Sequence, residues 1–115
     1  MLKPMNTIKL VAVFAENRPG QAARVTEILA RANINIRCIT VASSGTFGVM
    51  KLLVNDPDLA SQALRHEGFA ATLMDVIAVE MPDKPGALHA VARSLTVHDI
   101  NLANTSGLTS GTFSR

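Results

Sequence analysis

NRPGQAARVTEILARANINIRCITVASSGTF, residues Asn17 to Phe47, aligns without a gap on DKPGALHAVARSLTVHDINLANTSGLTSGTF, residues Asp83 to Phe113, with every residue displaced by 66 positions. The matches fall where backbone geometry or a core face is at stake: Pro19/Pro85, Gly20/Gly86, Val25/Val91, Leu29/Leu95, Ile34/Ile100, Asn35/Asn101, and Ser44–Phe47 against Ser110–Phe113. Self-similarity at a fixed offset is the mark of a duplicated supersecondary unit. The duplication is unequal. The first unit continues well past its Ser-Gly-Thr-Phe run, whereas the second stops two residues after it.

Working outward from the first copy, Ile8 to Ala15 is a short apolar run rich in β-branched residues, ended by Asn17-Arg18-Pro19-Gly20. It reads as a buried strand running into a turn. Ala22, Val25, Ile28, Leu29 and Ala32 then fall on one face of a helix, with Arg24, Glu27 and Arg31 opposite. Asn35 to Ala42 alternates Ile36, Cys38, Thr40 against Arg37, Ile39, Val41, a second strand. Ser43-Ser44-Gly45 supplies a hairpin turn into a return strand, Thr46 to Val54. Asp56-Pro57 places an N-cap before a proline at the first helical position. Leu59, Ala60, Ala63 and Leu64 form the apolar face of a second helix closed by Gly68. A fourth strand begins over Phe69 to Leu73.

The first unit therefore reads β-α-β-β-α-β, the split βαβ or ferredoxin-like arrangement, with both helices on one face of an antiparallel sheet. Ala71 to Glu80 contains no glycine, proline or linker composition. One strand is expected to serve both units there, with a division into residues 1–74 and 75–115. The second unit has its own helix, with Leu88, Val91, Ala92 and Leu95 on one face, and a strand from Asn101 onward, giving a partial β-α-β module. Its open edge calls for completion, either by pairing with another copy or by further polypeptide beyond Arg115.

Composition narrows the function. Of 115 residues, 48% are hydrophobic but only 3% aromatic, with neither Trp nor Tyr, so the core is aliphatic. A net charge of +2 comes from scattered Lys and Arg without the basic run of a nucleic-acid or membrane surface. The one cysteine, Cys38, offers neither an intrachain disulfide nor a metal-ligand spacing. No apolar stretch approaches the ~18 residues of a membrane span, and the N-terminus has no signal-peptide pattern. The expected setting is the reducing cytoplasm, with no cofactor and no metal.

The Pro-Gly corners carry chemistry. The first turn of a helix leaves backbone N–H groups unpaired and carries partial positive charge, so it receives a carboxylate well. Gly20 and Gly86 place no side chain between a ligand and those amides, and Pro19 and Pro85 hold the turn at low entropic cost. An ammonium group needs acceptors, which Asp83 or the side-chain oxygen of Asn17 supplies. Asp83 carries full charge, so the second loop is the favoured site. Asn35 and Asn101 open the second strand of each unit and offer a further donor or acceptor. They also suit a left-handed turn at a helix end.

A strand ending in (Asp/Asn)-x-Pro-Gly, a helix of about three turns, then Ile-Asn leading into a second strand resembles the ACT domain, a small amino-acid-sensing module attached to many biosynthetic enzymes. Its occurrence twice, without a catalytic domain, resembles stand-alone double-ACT proteins. The resemblance implies an amino acid bound at the loop between first strand and first helix, across a module or subunit interface. Those positions are Asn17, Arg18, Pro19, Gly20 and Gln21 in the first unit, and Asp83, Lys84, Pro85, Gly86 and Ala87 in the second. A homodimer or higher homo-oligomer, and an amino-acid biosynthetic enzyme as partner, are implied with it.

Other classes on this topology lack their chemistry here. There is no glycine-flanked phosphate loop with an Arg as in acylphosphatases, and no nucleophile paired with a base. An RNA-binding sheet needs exposed aromatics on its central strands, a pattern Phe14 and Phe47 do not make. A metal-carrying ferredoxin-like domain needs Cys-x-x-Cys. His66, His89 and His98 are each isolated, Cys38 reads as a buried inert thiol, and Met50, Met74 and Met81 read as core filler. An assembly module without a ligand is the rival reading.

Overall fold

The computed structural model describes residues 3–102 and 105–107. The elements run β1 (Lys3–Glu16), α1 (Gln21–Arg31), β2 (Ile36–Ser44), β3 (Phe47–Val54), α2 (Pro57–His66), β4 (Ala70–Glu80) and α3 (Ala87–Val97). The strands form one sheet in the order β2-β3-β1-β4, and β3 is antiparallel to both of its neighbours. The chain divides into two compact units, Ile8–Val76 and Met1–Thr7 with Ile77–Arg115.

In the Ile8–Val76 unit, the core is the aliphatic layer the composition demands. Val11, Val13 and Ala15 of β1, Met50, Leu52 and Val54 of β3, and Ala71 of β4 cluster with Val25, Ile28 and Leu29 of α1 and Ala60 and Leu64 of α2. Alternate residues of a strand share a face, so the helices lie over the face bearing Val11, Val13 and Ala15. Leu59, expected on the inner face of α2, is exposed, and Ser61 is buried instead. The Ser61 hydroxyl donates to the Asp58 carbonyl at 3.2 Å, which removes the cost of its burial.

The alternation along β2 also departs from the sequence reading. Ile36 pairs with Val54 and Cys38 with Leu53, a register shift that leaves Arg37 as the extra residue of a bulge. An inserted residue reverses the faces beyond it, so Ile36, Ile39 and Val41 share the helix-covered side through their partners Val54, Leu52 and Met50. Cys38 is half-buried rather than buried. β1 begins earlier than the apolar run suggested, and β4 continues unbroken from Ala70 to Glu80. Within the unit, Lys9 Nζ donates to Asp75 Oδ1 at 2.6 Å, and that hydrogen bond and charge hold the Lys9 ammonium pKa above its usual value.

Helix ends follow a shared scheme. Asn33, Gly68 and Asp99 adopt left-handed backbone at φ 60°, 94° and 58°. Behind each, the next amide reaches back to the last turn: Ile34 N to Leu29 O, Phe69 N to Leu64 O and Ile100 N to Leu95 O. These are Schellman closures. The left-handed positions are thus Asn33 and Asp99, two residues ahead of Asn35 and Asn101. The short aspartate side chain tolerates that region nearly as asparagine does.

Asp56 caps α2 as its sequence suggested, its side chain accepting from Leu59 N at 3.2 Å with Pro57 in the first turn. Asp56→Ala is expected to lower stability by about 1 kcal/mol in urea unfolding. A midpoint unchanged from the parent protein would show that water replaces this cap at no cost.

In the other unit, α3 has no fully buried residue. Val91, Ala92 and Leu95 are half-buried and Leu88 is exposed. Residues 100–102 and 105–107 are not in a strand, contrary to the expectation from Asn101 onward. The repeated Ser110–Phe113 run lies outside the described residues. Among the described residues, no helix is long and apolar enough to cross a membrane.

Candidate functional site

The two Pro-Gly corners have the same backbone. Gly20 is the N-cap of α1 at φ 93°, ψ −14°, and Gly86 is the N-cap of α3 at φ 89°, ψ −12°. In each, the first helical amide turns back on the loop, Gln21 N to Arg18 O at 3.4 Å and Ala87 N to Lys84 O at 3.2 Å. The first full helical bond then starts from the glycine carbonyl, received from Arg24 N at 2.9 Å and Ala90 N at 3.0 Å. The intervening amides of Ala22 and Ala23, and of Leu88 and His89, have no backbone acceptor among the described residues. No side chain caps either helix, and neither has an acidic residue in its first turn. Among the described residues, the partial positive charge of each helix start is therefore left without a side-chain cap or a first-turn carboxylate.

Glycine is needed here for its dihedral rather than for space. A Cβ added at Gly20 or Gly86 would meet no atom within 4 Å, but a positive φ near 90° is one L side chains rarely adopt. That positive φ is what swings the chain from strand into helix so that the second and third amides stand free.

The first loop is anchored to the β2–β3 hairpin. Asn17 N donates to Thr46 O at 2.7 Å and Asn17 Nδ2 to Gly45 O at 3.3 Å, which leaves the side-chain oxygen available as an acceptor. Arg18 Nε lies 3.7 Å from Glu16 Oε1. With the Gln21 amide oriented to satisfy both groups, its oxygen accepts from Arg18 Nη2 at 2.9 Å and Nε at 3.0 Å. Arg24 donates from Nη2 to Glu67 Oε1 at 2.8 Å, tying α1 to the end of α2. Both partners are partly exposed, so this bridge contributes about 1 kcal/mol at most.

An open groove of about 390 Å³ adjoins this loop, bordered by Arg18, Gln21, Arg24, Glu67, Phe47 and Phe69 among others. Arg18 and Gln21 are thus candidates that the fold brings together with a cavity. Asn17 stands at the hinge of the loop, with Pro19 and Gly20 forming its exposed corner. Asn35 stands elsewhere. Ile36 pairs with Val54 at one end of the sheet and Glu16 with Phe47 at the other, a separation of about 23 Å along the strand. Asn35 is occupied there with Asn55, whose Oδ1 accepts from Asn35 N at 3.0 Å. Asn101 likewise follows the far end of the 11-residue α3, about 16 Å of helix beyond its own loop. In the second loop, Asp83, Lys84, Pro85 and Gly86 are exposed and Ala87 is half-buried.

Sequence reasoning missed the groove residues Glu67 and Phe69. The α2–β4 turn that carries them meets the first loop only through tertiary packing. The histidines are exposed and isolated, and among the described residues no group of three metal-ligating side chains comes together. Met50 is core, as expected, with Met74 and Met81 half-buried.

No curated protein matches the chain. Among solved structures, protein BT0572 of Bacteroides thetaiotaomicron is similar, at 37% identity and a TM-score of 0.76, over 80% of this chain and 64% of that one. The chain therefore spans just under two thirds of that relative's length. The ligand-free regulatory subunit of aspartate kinase from Thermus thermophilus shares the fold, with a TM-score of 0.62 at 18% identity over 91% of this chain and 82% of its own. The family model for the ACT domain pair matches residues 6–112. The duplicated strand–Pro-Gly–helix corner, the β2-β3-β1-β4 sheet and a match across almost the whole sequence agree, and the chain belongs to the ACT domain pair family.

Proposed function

We propose that this chain is a sensor of a free amino acid, held at a Pro-Gly loop. Membership of the ACT family makes it a regulatory module; the ligand and the loop are our reading. The observation that carries it is the pair of left-handed glycine N-caps, each presenting two first-turn amides without a protein acceptor among the described residues. A ligand carboxylate satisfies those donors and meets the positive end of the helix dipole. The ligand ammonium is received by Asp83 in the second loop, or by the Asn17 side-chain oxygen in the first.

Occupancy is passed on by a change in how modules or subunits pack, in a homodimer or higher homo-oligomer that acts on an amino-acid biosynthetic enzyme in the cytoplasm. Coupling of this kind is a difference in ligand affinity between two packings, commonly ~1–3 kcal/mol. The edge strand β2 supports self-association. It ends the sheet with one side unpaired among the described residues and with Ile39 and Val41 exposed.

A thermal-shift screen of the purified protein against the twenty amino acids, with mass followed by light scattering, tests the reading. A specific ligand at ~100 times its Kd adds ~2.7 kcal/mol and raises the midpoint by several degrees in a domain of this size. A stereospecific shift for one or a few amino acids is the expected result. Flat traces from a folded oligomer would instead assign an assembly module without a ligand.

A further inference from the structure

Of the four aromatic residues in the chain, all phenylalanine, three line one groove: Phe14, Phe47 and Phe69. Phe14 and Phe47 share a sheet face, because Phe14 pairs with Val49, Glu16 pairs with Phe47, and residues 47 and 49 are alternate positions of one strand. As diagonal cross-strand neighbours they stand roughly 7–8 Å apart. Both are open, Phe14 at 46% and Phe47 at 63% of full exposure. A chain this poor in aromatics that gathers them at one cavity mouth and leaves two uncovered presents a surface suited to a flat apolar group.

The groove is also balanced in charge. Its border carries Arg18 and Arg24 against Glu16 and Glu67. Arg24 and Glu67 are joined at 2.8 Å, whereas Glu16 and Arg18 are 3.7 Å apart with about two thirds of each side chain exposed. A zwitterion offers a partner to each of the loosely paired Glu16 and Arg18. Phe47 lies directly beside the Pro-Gly loop, since Asn17 N bonds to Thr46 O.

We infer that the groove beside the first loop takes an aromatic amino acid, whose ring lies against Phe14 and Phe47 on the sheet face away from α1 while its carboxylate meets Arg18 and its ammonium Glu16. This rests on the sensor reading above and adds the side-chain class that the loop geometry leaves open. Phe69, half-buried and packed against the core, also borders the groove.

The test is calorimetric titration of the full chain with L-phenylalanine, L-tryptophan, D-phenylalanine, L-serine and L-aspartate, alongside the twenty-amino-acid thermal screen. Phe47→Ala and Phe14→Ala are compared with Leu59→Ala, an exposed residue on α2 outside the groove. Both phenylalanines are open to solvent, so their truncation leaves the core intact, and circular dichroism verifies this. Expected are tighter binding of L-phenylalanine or L-tryptophan than of serine or aspartate, discrimination against D-phenylalanine, and weakening by about tenfold in each Phe variant with none in Leu59→Ala. Serine bound as tightly as phenylalanine, with affinity unmoved by Phe47→Ala, overturns the aromatic assignment and leaves the sensor standing. Silence toward all twenty amino acids overturns both. A changed mass for Phe47→Ala with unchanged phenylalanine affinity assigns the aromatic pair to a subunit contact and also overturns the inference.

Discussion

Leu52→Ala is expected to destabilise the Ile8–Val76 unit by about 2–5 kcal/mol, enough to unfold a large fraction of the protein. Leu52 is fully buried in the middle of β3, opposite Val11 on one side and Ile39 on the other. It faces the helices with Met50 and Val54. Removing three carbons there loses their transfer free energy and leaves a cavity that two strands and two helices cannot all close around. A unit of about 70 residues has a total stability of only about 4–10 kcal/mol, from about 0.05–0.15 kcal/mol per residue. The effect is therefore comparable with the whole. Urea unfolding followed by circular dichroism measures it. A loss below about 1 kcal/mol, the range of ordinary surface substitutions and mild repacking, would mean that β3 is not the centre of this core.

Gly20→Val is the second large effect, and its cause is backbone rather than bulk. The φ of 93° at Gly20 lies where an L residue meets its own carbonyl, and open space around the position gives no relief. Left-handed backbone costs roughly 1–2 kcal/mol for an ordinary residue, and β-branching makes it worse. Gly20→Asn is expected to lose less, because asparagine tolerates this region. Gly86→Val should behave in the same way, since its φ is 89°. Each valine also shields the amides behind it, so loss of the amino-acid response follows at that loop. Comparing Val with Asn at one position separates the two contributions. Equal stability of Gly20→Val and Gly20→Asn would sink the conformational account. Retained affinity in both valine variants would remove the loops from ligand binding.

Much of the fold was legible because its signals are local. Strand-to-helix corners announce themselves by Pro-Gly, the α2 start by Asp56-Pro57 and the hairpin by Ser-Ser-Gly, each through a backbone preference that needs no distant partner. Apolar period marked Val25, Ile28 and Leu29 of α1 correctly for the same reason, whereas Ala22, expected on that face, is exposed. Leu59 was misplaced because α2 is short, so one residue's rotation decides which side chains face the sheet. The bulge at Arg37 carries no composition cue. It exists because Ile36 must meet Val54 while Cys38 meets Leu53, a matter of register between two strands.

The site divides along the same line. Asn17, Arg18, Gly20 and Gln21, with Asp83 and Gly86 in the repeat, were found as loop residues because the duplication itself points to them. Asn35 and Asn101 were drawn in by proximity to the same helices in sequence, yet a helix has two ends, and its length separates them from the loops.

By itself, the sequence determined a duplicated strand–Pro-Gly–helix corner, an aliphatic core in the first unit, and membership of a family recognisable from that repeated corner. Those follow from local dihedral preferences and apolar periodicity, which one stretch of chain holds alone. Only the tertiary structure decided that Phe14, Phe47 and Phe69 line one groove, that Glu67 at the end of α2 closes on Arg24 from α1, and that Asn35 stands at the far end of the sheet. These depend on strand register and on which turns share an end of the sheet, and such relations arise only when separate segments are packed together.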